Sequence, residues 1–105
     1  MTAAQSVHPR HRLDEVLQNP IRFSIAAALD RASTLSFREV RDAIEVTDSA
    51  LSKQTATLES VGYIKIGKEF VGKMPRTSLT LTKTGRAAWT KHLAALNEIA
   101  GNNPD

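Results

Sequence analysis

Apolar residues recur at helical spacing along much of this chain and switch to strict alternation in one part of it. Leu13, Val16 and Leu17 form a short turn's worth of that spacing. Ile21, Ile25, Ala28 and Leu29 then make one stripe of a helix over residues 20–31, which opens on Asn19-Pro20, a cap followed by a first-turn proline. Phe37, Val40 and Ile44 stand at i, i+3 and i+7 on a helix of about two turns, and Ser36 with Glu39 supplies its capping box. Past Gly62 the period changes. Ile64 and Ile66 flank Lys65, and Thr77, Leu79 and Leu81 flank Ser78 and Thr80, so two half-buried strands are expected. The segment between them, GKEFVGKMPR, contains Gly67, Gly72 and Pro75 and predicts a hairpin with a basic tip. Thr82 caps a last helix over residues 83–100, on which Trp89, Leu93, Leu96 and Ala100 form one stripe and Ala88, His92, Ala95 and Ile99 its neighbour. Two apolar stripes exceed what one side of so small a domain uses, and a second user of that surface is expected. Gly85 in the first turn of this helix costs on the order of 1 kcal/mol of propensity relative to alanine, which predicts a close backbone approach there.

Residues 47–63, TDSALSKQTATLESVGY, read as a further helix, capped by Thr47 or Asp48 and ended by Gly62. At 100° per residue Ser49, Ser52, Lys53, Ala56 and Ser60 share about a third of the circumference, with Leu51 and Leu58 opposite. One side anchors and the other is left to touch something. Taken alone, a face of small hydroxyls is that of any solvated helix. Only Glu45 and Val46 separate it from the helix before, however, and two helices joined by so short a turn, the second with a polar outer face, make a helix-turn-helix pattern. A bare helix with hydroxyls and one ammonium fits the major groove of duplex DNA.

Charge sharpens this picture. The chain has 105 residues and a formal charge of +3, but residues 63–92 carry seven lysines and arginines against Glu69 alone, a local +6, which leaves −3 for the remainder. Such polarity suggests a basic surface facing a polyanion. A length of 105 residues with 41% hydrophobic and 24% charged residues bounds one ordinary globular domain, and five aromatics make its core mainly aliphatic. Residues 1–12 show no apolar periodicity and are expected to form a flexible arm, residues 13–100 the domain and residues 101–105 a tail. Zero cysteines exclude disulfides, thiolate metal sites and cysteine nucleophiles, and the three scattered histidines suggest no metal centre. No apolar run reaches the length that spans a membrane, and the N-terminus lacks the order of a signal peptide, so a cytoplasmic protein is expected. No nucleophile with a base, paired acidic site or phosphate-cradling glycine loop suggests an enzyme or a cofactor.

The element order, helix, helix, short turn, helix, glycine, hairpin, helix, is that of a winged helix-turn-helix, mainly α with a small β-hairpin. Three blocks, NPIRFSIAAAL, LSFREVRDAIEVTDSALSKQTATLESVGYIKI and GKMPRTSLTLTKTGRAAW, resemble the compact winged-helix transcriptional regulators related to the MarR group. In these a helix ending in L-x-x-x-G-Y precedes a basic wing, and L-T-x-x-G opens the last helix. The resemblance covers about residues 19–96. It implies sequence-specific binding of double-stranded, pseudo-palindromic DNA by a homodimer, more commonly to repress than to activate transcription. Carried over by position, Thr47, Asp48, Ser49, Ser52, Lys53 and Thr57 match the recognition helix. Lys73 and Arg76 match the wing, which in relatives lies along the backbone or dips into the minor groove. Leu81, Thr82 and Gly85 match the structural motif and are not expected to touch DNA. Two departures stand out. Thr55 occupies a position that is apolar in the related pattern, which predicts looser packing, and the outer face has no arginine, the commonest partner of guanine.

The expected mode of action follows. The helix after Thr47 enters the major groove, and Lys65, Lys68, Lys73 and Arg76 neutralise phosphates. Dimerisation is expected through Trp89, His92, Leu93, Leu96 and Ile99, joined by Leu13, Val16 and Leu17, and a small-molecule effector, if there is one, would sit near Trp89 and His92. The alternative is a winged helix that serves as a protein–protein adaptor without binding DNA.

Overall fold

The computed structural model describes residues 7–101. After two 3₁₀ turns, Pro9–Arg12 and Glu15–Gln18, the chain forms α1 (Pro20–Ala32), β1 (Thr34–Ser36), α2 (Phe37–Ile44), α3 (Asp48–Ser60), β2 (Ile64–Val71), β3 (Met74–Leu81) and α4 (Lys83–Ala100). The strands make one antiparallel sheet in the order β1-β3-β2. This is a winged helix-turn-helix: four α-helices around a small sheet whose outer hairpin is the wing.

Local chemistry sets the helix boundaries. The Asn19 side chain accepts the Ile21 and Arg22 N–H groups at the proline-led start of α1. At α2 the capping box closes both ways, with Glu39 N–H to Ser36 Oγ at 3.0 Å and Ser36 N–H to Glu39 Oε1 at 2.8 Å. Thr47 and Thr82 cap α3 and α4 through the Ala50 and Gly85 N–H groups. Each such cap is worth about 1 kcal/mol. The tight turn between α2 and α3 is made by Glu45 in the left-handed region, φ 58°.

The core gathers Leu17, Ile25, Leu29, Val40, Leu51, Leu58, Leu79 and Trp89. The α1 stripe is rotated slightly from expectation, burying Ala26 fully and leaving Ala28 partly exposed. Thr55, expected to loosen α3, is itself buried, and its hydroxyl donates to Leu51 O at 2.9 Å and Ser52 O at 3.1 Å. Among the described residues no buried side-chain polar atom lacks a partner.

Three features differ from the sequence reading. β1 is a third strand where only a break was expected; it pairs Thr34, Leu35 and Ser36 with Thr80, Leu79 and Ser78. The basic loop expected between two short strands is instead a continuation of both: β2 and β3 run eight residues each to a turn at Gly72 and Lys73, with Gly72 at φ +65°. The expected flexible arm begins outside the described residues, but its part from Pro9 to Arg12 is a 3₁₀ turn lying on α4, where the Arg12 guanidinium meets Glu98 at 2.5 Å. Residues 102–105 of the expected tail lie outside the described residues. No helix among the described residues is long and apolar enough to cross a membrane.

Candidate nucleic-acid interface

α3 turns Leu51, Thr55 and Leu58 into the core, which points Ser49, Ser52 and Lys53 outward as its angular pattern requires. Ser49, Ser52 and Lys53 are exposed, and their side chains have no hydrogen-bond partner among the described residues. Thr57, half-buried, donates its hydroxyl to Lys53 O at 3.3 Å, and Ser60 donates to Thr57 O at 2.7 Å, so these two present acceptor lone pairs rather than donors.

Thr47 and Asp48 have mainly structural roles at the entry to α3. Thr47 is the cap. Asp48 sits in the first turn, where a carboxylate suits the positive end of the helix, and it binds Arg41 of α2 at 2.9 Å. Arg41 also meets Asp42 at 3.0 Å, and these two carboxylates raise its pKa above the ordinary arginine value. This clasp ties the two helices across their turn and offsets the acid nearest the free face of α3.

The wing stands beside α3. An open groove of about 610 Å³ between them is lined by Ser52, Thr55 and Glu59 on one side and Ile66, Lys68 and Thr77 on the other. Ser52 and Lys68 thus share one groove. Lys65, Lys68, Lys73 and Arg76 are all exposed. Arg76 approaches Glu39 of α2 at 3.4 Å, an exposed pair of small energetic weight that can exchange for a phosphate contact. Glu39 is held below the usual carboxylate pKa chiefly by the Ser36 backbone N–H, then the Ser36 hydroxyl, against a small opposing desolvation, with Arg76 adding less. A second groove, about 500 Å³, runs from Arg38 at the start of α2 to Val71, Met74 and Arg76 on the wing. The sequence reading passed over Arg38, an exposed cation beside the wing, because nothing in helical periodicity places it there.

The support for this face lies behind it. Thr82 Oγ1 donates to Gly62 O at 2.6 Å while accepting the Gly85 N–H at 2.9 Å, and the Thr82 N–H donates to Tyr63 O at 3.0 Å. A Cβ at Gly85 would lie 2.0 Å from Tyr63 O, which is why glycine is required there. The Tyr63 hydroxyl donates to Asp14 Oδ2, and this bond, aided by burial, raises its pKa from 10.0 to about 12. The Asp14 N–H in turn donates to His92 Nδ1 at 2.9 Å. Burial lowers the pKa of His92, against a smaller opposing pull from Asp14. The end of α3 is therefore fixed to α4 and to the N-terminal segment.

That junction also redistributes the expected dimer residues. Leu17, Trp89 and His92 are spent inside the domain, at 1%, 7% and 2% exposure, and Phe23 of α1 packs its ring 4.8 Å from Trp89 and 5.8 Å from His92. They are not available as an outer surface. Leu93 and Ile99 are exposed, and Leu13, Val16 and Leu96 are half-buried beside them. Leu13, Phe23, His92 and Leu96 line a shallow hollow of about 370 Å³. The sequence reading also missed the outer wing, where Phe70, Val71 and Met74 are exposed among the cations. Among the described residues no group of three or more His, Cys, Asp or Glu side chains could hold a metal ion.

A family model described as a winged helix DNA-binding domain matches residues 21–100. No curated protein matches the chain by sequence. Among solved structures, the transcriptional regulator homologue from Pyrococcus horikoshii OT3 is similar at TM-score 0.79 and 24% identity, with 85% of this chain and 88% of that one covered. BpsR of Bordetella bronchiseptica, whose DNA binding is regulated by 6-hydroxynicotinic acid, matches at TM-score 0.71 and 16% identity, over 94% of this chain and 76% of its own. Wild-type MarR from E. coli in its apo form matches at TM-score 0.67 and 16% identity, over 99% and 86%. At such identities the likeness is one of fold.

Proposed function

The chain belongs to the winged helix DNA-binding domain family, and from that premise we propose that it is a MarR-type transcriptional regulator, a homodimer that binds pseudo-palindromic duplex DNA in a sequence-specific manner and acts mainly as a repressor. The observation that carries this reading is the placement of Ser49, Ser52 and Lys53 on the free face of α3 next to the exposed wing cations Lys65, Lys68, Lys73 and Arg76. α3 enters the major groove, where its hydroxyls and single ammonium reach base edges and phosphates. The wing neutralises backbone phosphates. With no arginine on the α3 face, direct base reading is modest and the wing contributes much of the affinity.

Dimerisation joins the exposed residues Leu93 and Ile99 of α4, with Leu96, Leu13 and Val16 at the margin, to the same patch on a second copy. Two-fold symmetry then sets the two α3 helices about one duplex turn, roughly 34 Å, apart. A small-molecule effector would enter by the hollow between Leu13, Phe23, His92 and Leu96, which borders that patch.

Selection of bound sequences from random duplex DNA tests binding, specificity and symmetry together. The expected result is enrichment of inverted half-sites one duplex turn apart. Absence of enrichment, with no duplex retained at low salt, would contradict the proposal and favour a protein-binding adaptor. Alanine at Lys73 and Arg76 should weaken binding on all sequences alike, as phosphate contacts do.

A further inference from the structure

The outer wing leaves the domain as a two-stranded ribbon, and its end is apolar. Phe70 is 74% exposed, Met74 70% and Val71 55%. Large apolar side chains clustered on a surface mark a contact site. The register pairs Phe70 with Pro75 and Val71 with Met74. Paired residues of an antiparallel ladder share a face and successive ones alternate, so Phe70 and Pro75 lie on one side of the ribbon and Val71 and Met74 on the other. The tip is therefore apolar on both sides. A flat partner, such as a lipid surface or a protein face, would be met by one side only; a tip apolar on both sides fits between two walls.

Charge identifies the walls. Lys73 occupies the turn itself, Lys68 follows on the Phe70 side and Arg76 on the Met74 side, while Glu69 lies opposite Arg76 in the register. An apolar point in a basic collar complements a narrow slot edged with phosphates. The resemblance implies a wing that lies along the backbone or dips into the minor groove; we propose that here Phe70 and Met74, on opposite sides of the tip, wedge into the base steps they face from the minor groove and kink the duplex, with Lys68, Lys73 and Arg76 on the flanking phosphates. This rests on the reading of the chain as a duplex-DNA binder.

Reach and chemistry agree with it. The exposed outer part of β2, residues 68–71, carries the tip about 13 Å beyond the packed part of the strand. The minor groove lies half a duplex turn, roughly 17 Å, from the major groove that α3 occupies. Phenylalanine and methionine are among the side chains that unstack base steps from the minor groove, and pyrimidine–purine steps yield most easily. Bound sequences should accordingly favour TA or CA/TG steps at the wing position, where α3 makes no contact.

The test uses the full chain and duplexes enriched by selection, with 2-aminopurine at the wing step and a donor–acceptor dye pair at the duplex ends. Binding should raise the 2-aminopurine fluorescence and the end-to-end energy transfer. F70A/M74A should lose both signals and bind about ten- to a hundredfold more weakly, as loss of base stacking does. Its salt dependence should be unchanged because no charge is lost. F70L/M74L keeps an apolar wedge and should retain both signals. Lys73→Ala, which removes one charge from each subunit of the dimer, should keep the signals and make the salt slope shallower by about 2. Tight duplex binding without either signal, or with F70A/M74A indistinguishable from the parent, overturns the wedge while leaving the duplex reading intact. A double variant that binds DNA normally but falls from dimer to monomer marks the tip as a protein contact and overturns it too. No binding of any duplex at low salt removes the duplex reading and the wedge together.

Discussion

The junction behind α3 and the far end of the wing both set aromatic and charged residues side by side, and the fold treats them in opposite ways. At the junction Tyr63, Asp14 and His92 form a chain of hydrogen bonds, Gly85 admits the Tyr63 carbonyl, and Phe23 packs against the rings of both Trp89 and His92. At the wing tip Phe70 and Met74 stand in solvent, and Lys68 and Lys73 have no partner among the described residues. A closed polar network around buried His92 and the half-buried Asp14 and Tyr63 fixes geometry, because breaking it leaves partners shielded from water unsatisfied. An open apolar tip buries little surface within the fold and, on the proposal above, is kept for contact. On that proposal, positioning and contact fall to separate ends of the α3–wing unit.

The sharpest way to break this contrast is at the glycines. Gly85→Ala drives a methyl into the backbone of Tyr63 and should cost about 3 kcal/mol or more in urea unfolding, near the upper end of overpacking penalties. Gly67→Ala in the wing meets only the Ser78 hydroxyl, at 2.9 Å, which can rotate away, and should cost under about 1 kcal/mol.

Acid and base should find the junction next. The pKa of His92 is lowered by burial, so its contribution is complete above about pH 6.5, the unfolded value, and is lost as pH falls through the folded value, because the unfolded chain takes up a proton that the folded one refuses. Protonation at Nδ1 would also remove the acceptor for the Asp14 N–H. The pKa of Tyr63 is raised to about 12, so its contribution is complete below about pH 10 and is lost as pH rises toward 12. Urea midpoints measured across both ranges should fall at each end, and His92→Gln and Tyr63→Phe should flatten the acid and base arms respectively. Arms that persist in those variants would locate the titration elsewhere. Smallest of all, Phe70→Ser and Met74→Ser should leave stability within about 0.5 kcal/mol of the parent, since neither side chain is buried. A larger loss would mean that the tip packs onto the domain.

The elements with local chemistry were legible in the sequence. Asn19-Pro20, the Ser36–Glu39 box, Thr47, Gly62 and Thr82 mark helix ends through bonds made within a few residues. Gly85 declared a close approach because glycine is costly in a first helical turn. What was hidden depends on partners far along the chain. β1 has three residues and exists because β3 offers it a ladder. The α4 stripe of Trp89 and His92 looked like an outer surface because its occupants, Phe23 and residues 9–18, are separated from it by 60 residues or more. The α3 face was readable as a solvent-facing strip, yet Asp48 gave no sign of its clasp with Arg41. In the wing, alternation indicated strands but not where the ribbon leaves the core, so an exposed Phe70 could not be told from a buried one.

The proposed function rests on electrostatic contact with duplex DNA, and the salt dependence of binding tests it most directly. With about four phosphates neutralised per subunit, the logarithm of the dimer's association constant should fall against the logarithm of salt with a slope of roughly −7, shallower in Lys73→Ala and Arg76→Ala by about the charges removed from the dimer. A slope near zero, or one unchanged by both substitutions, would contradict the assignment of α3 and the wing as a DNA-binding surface.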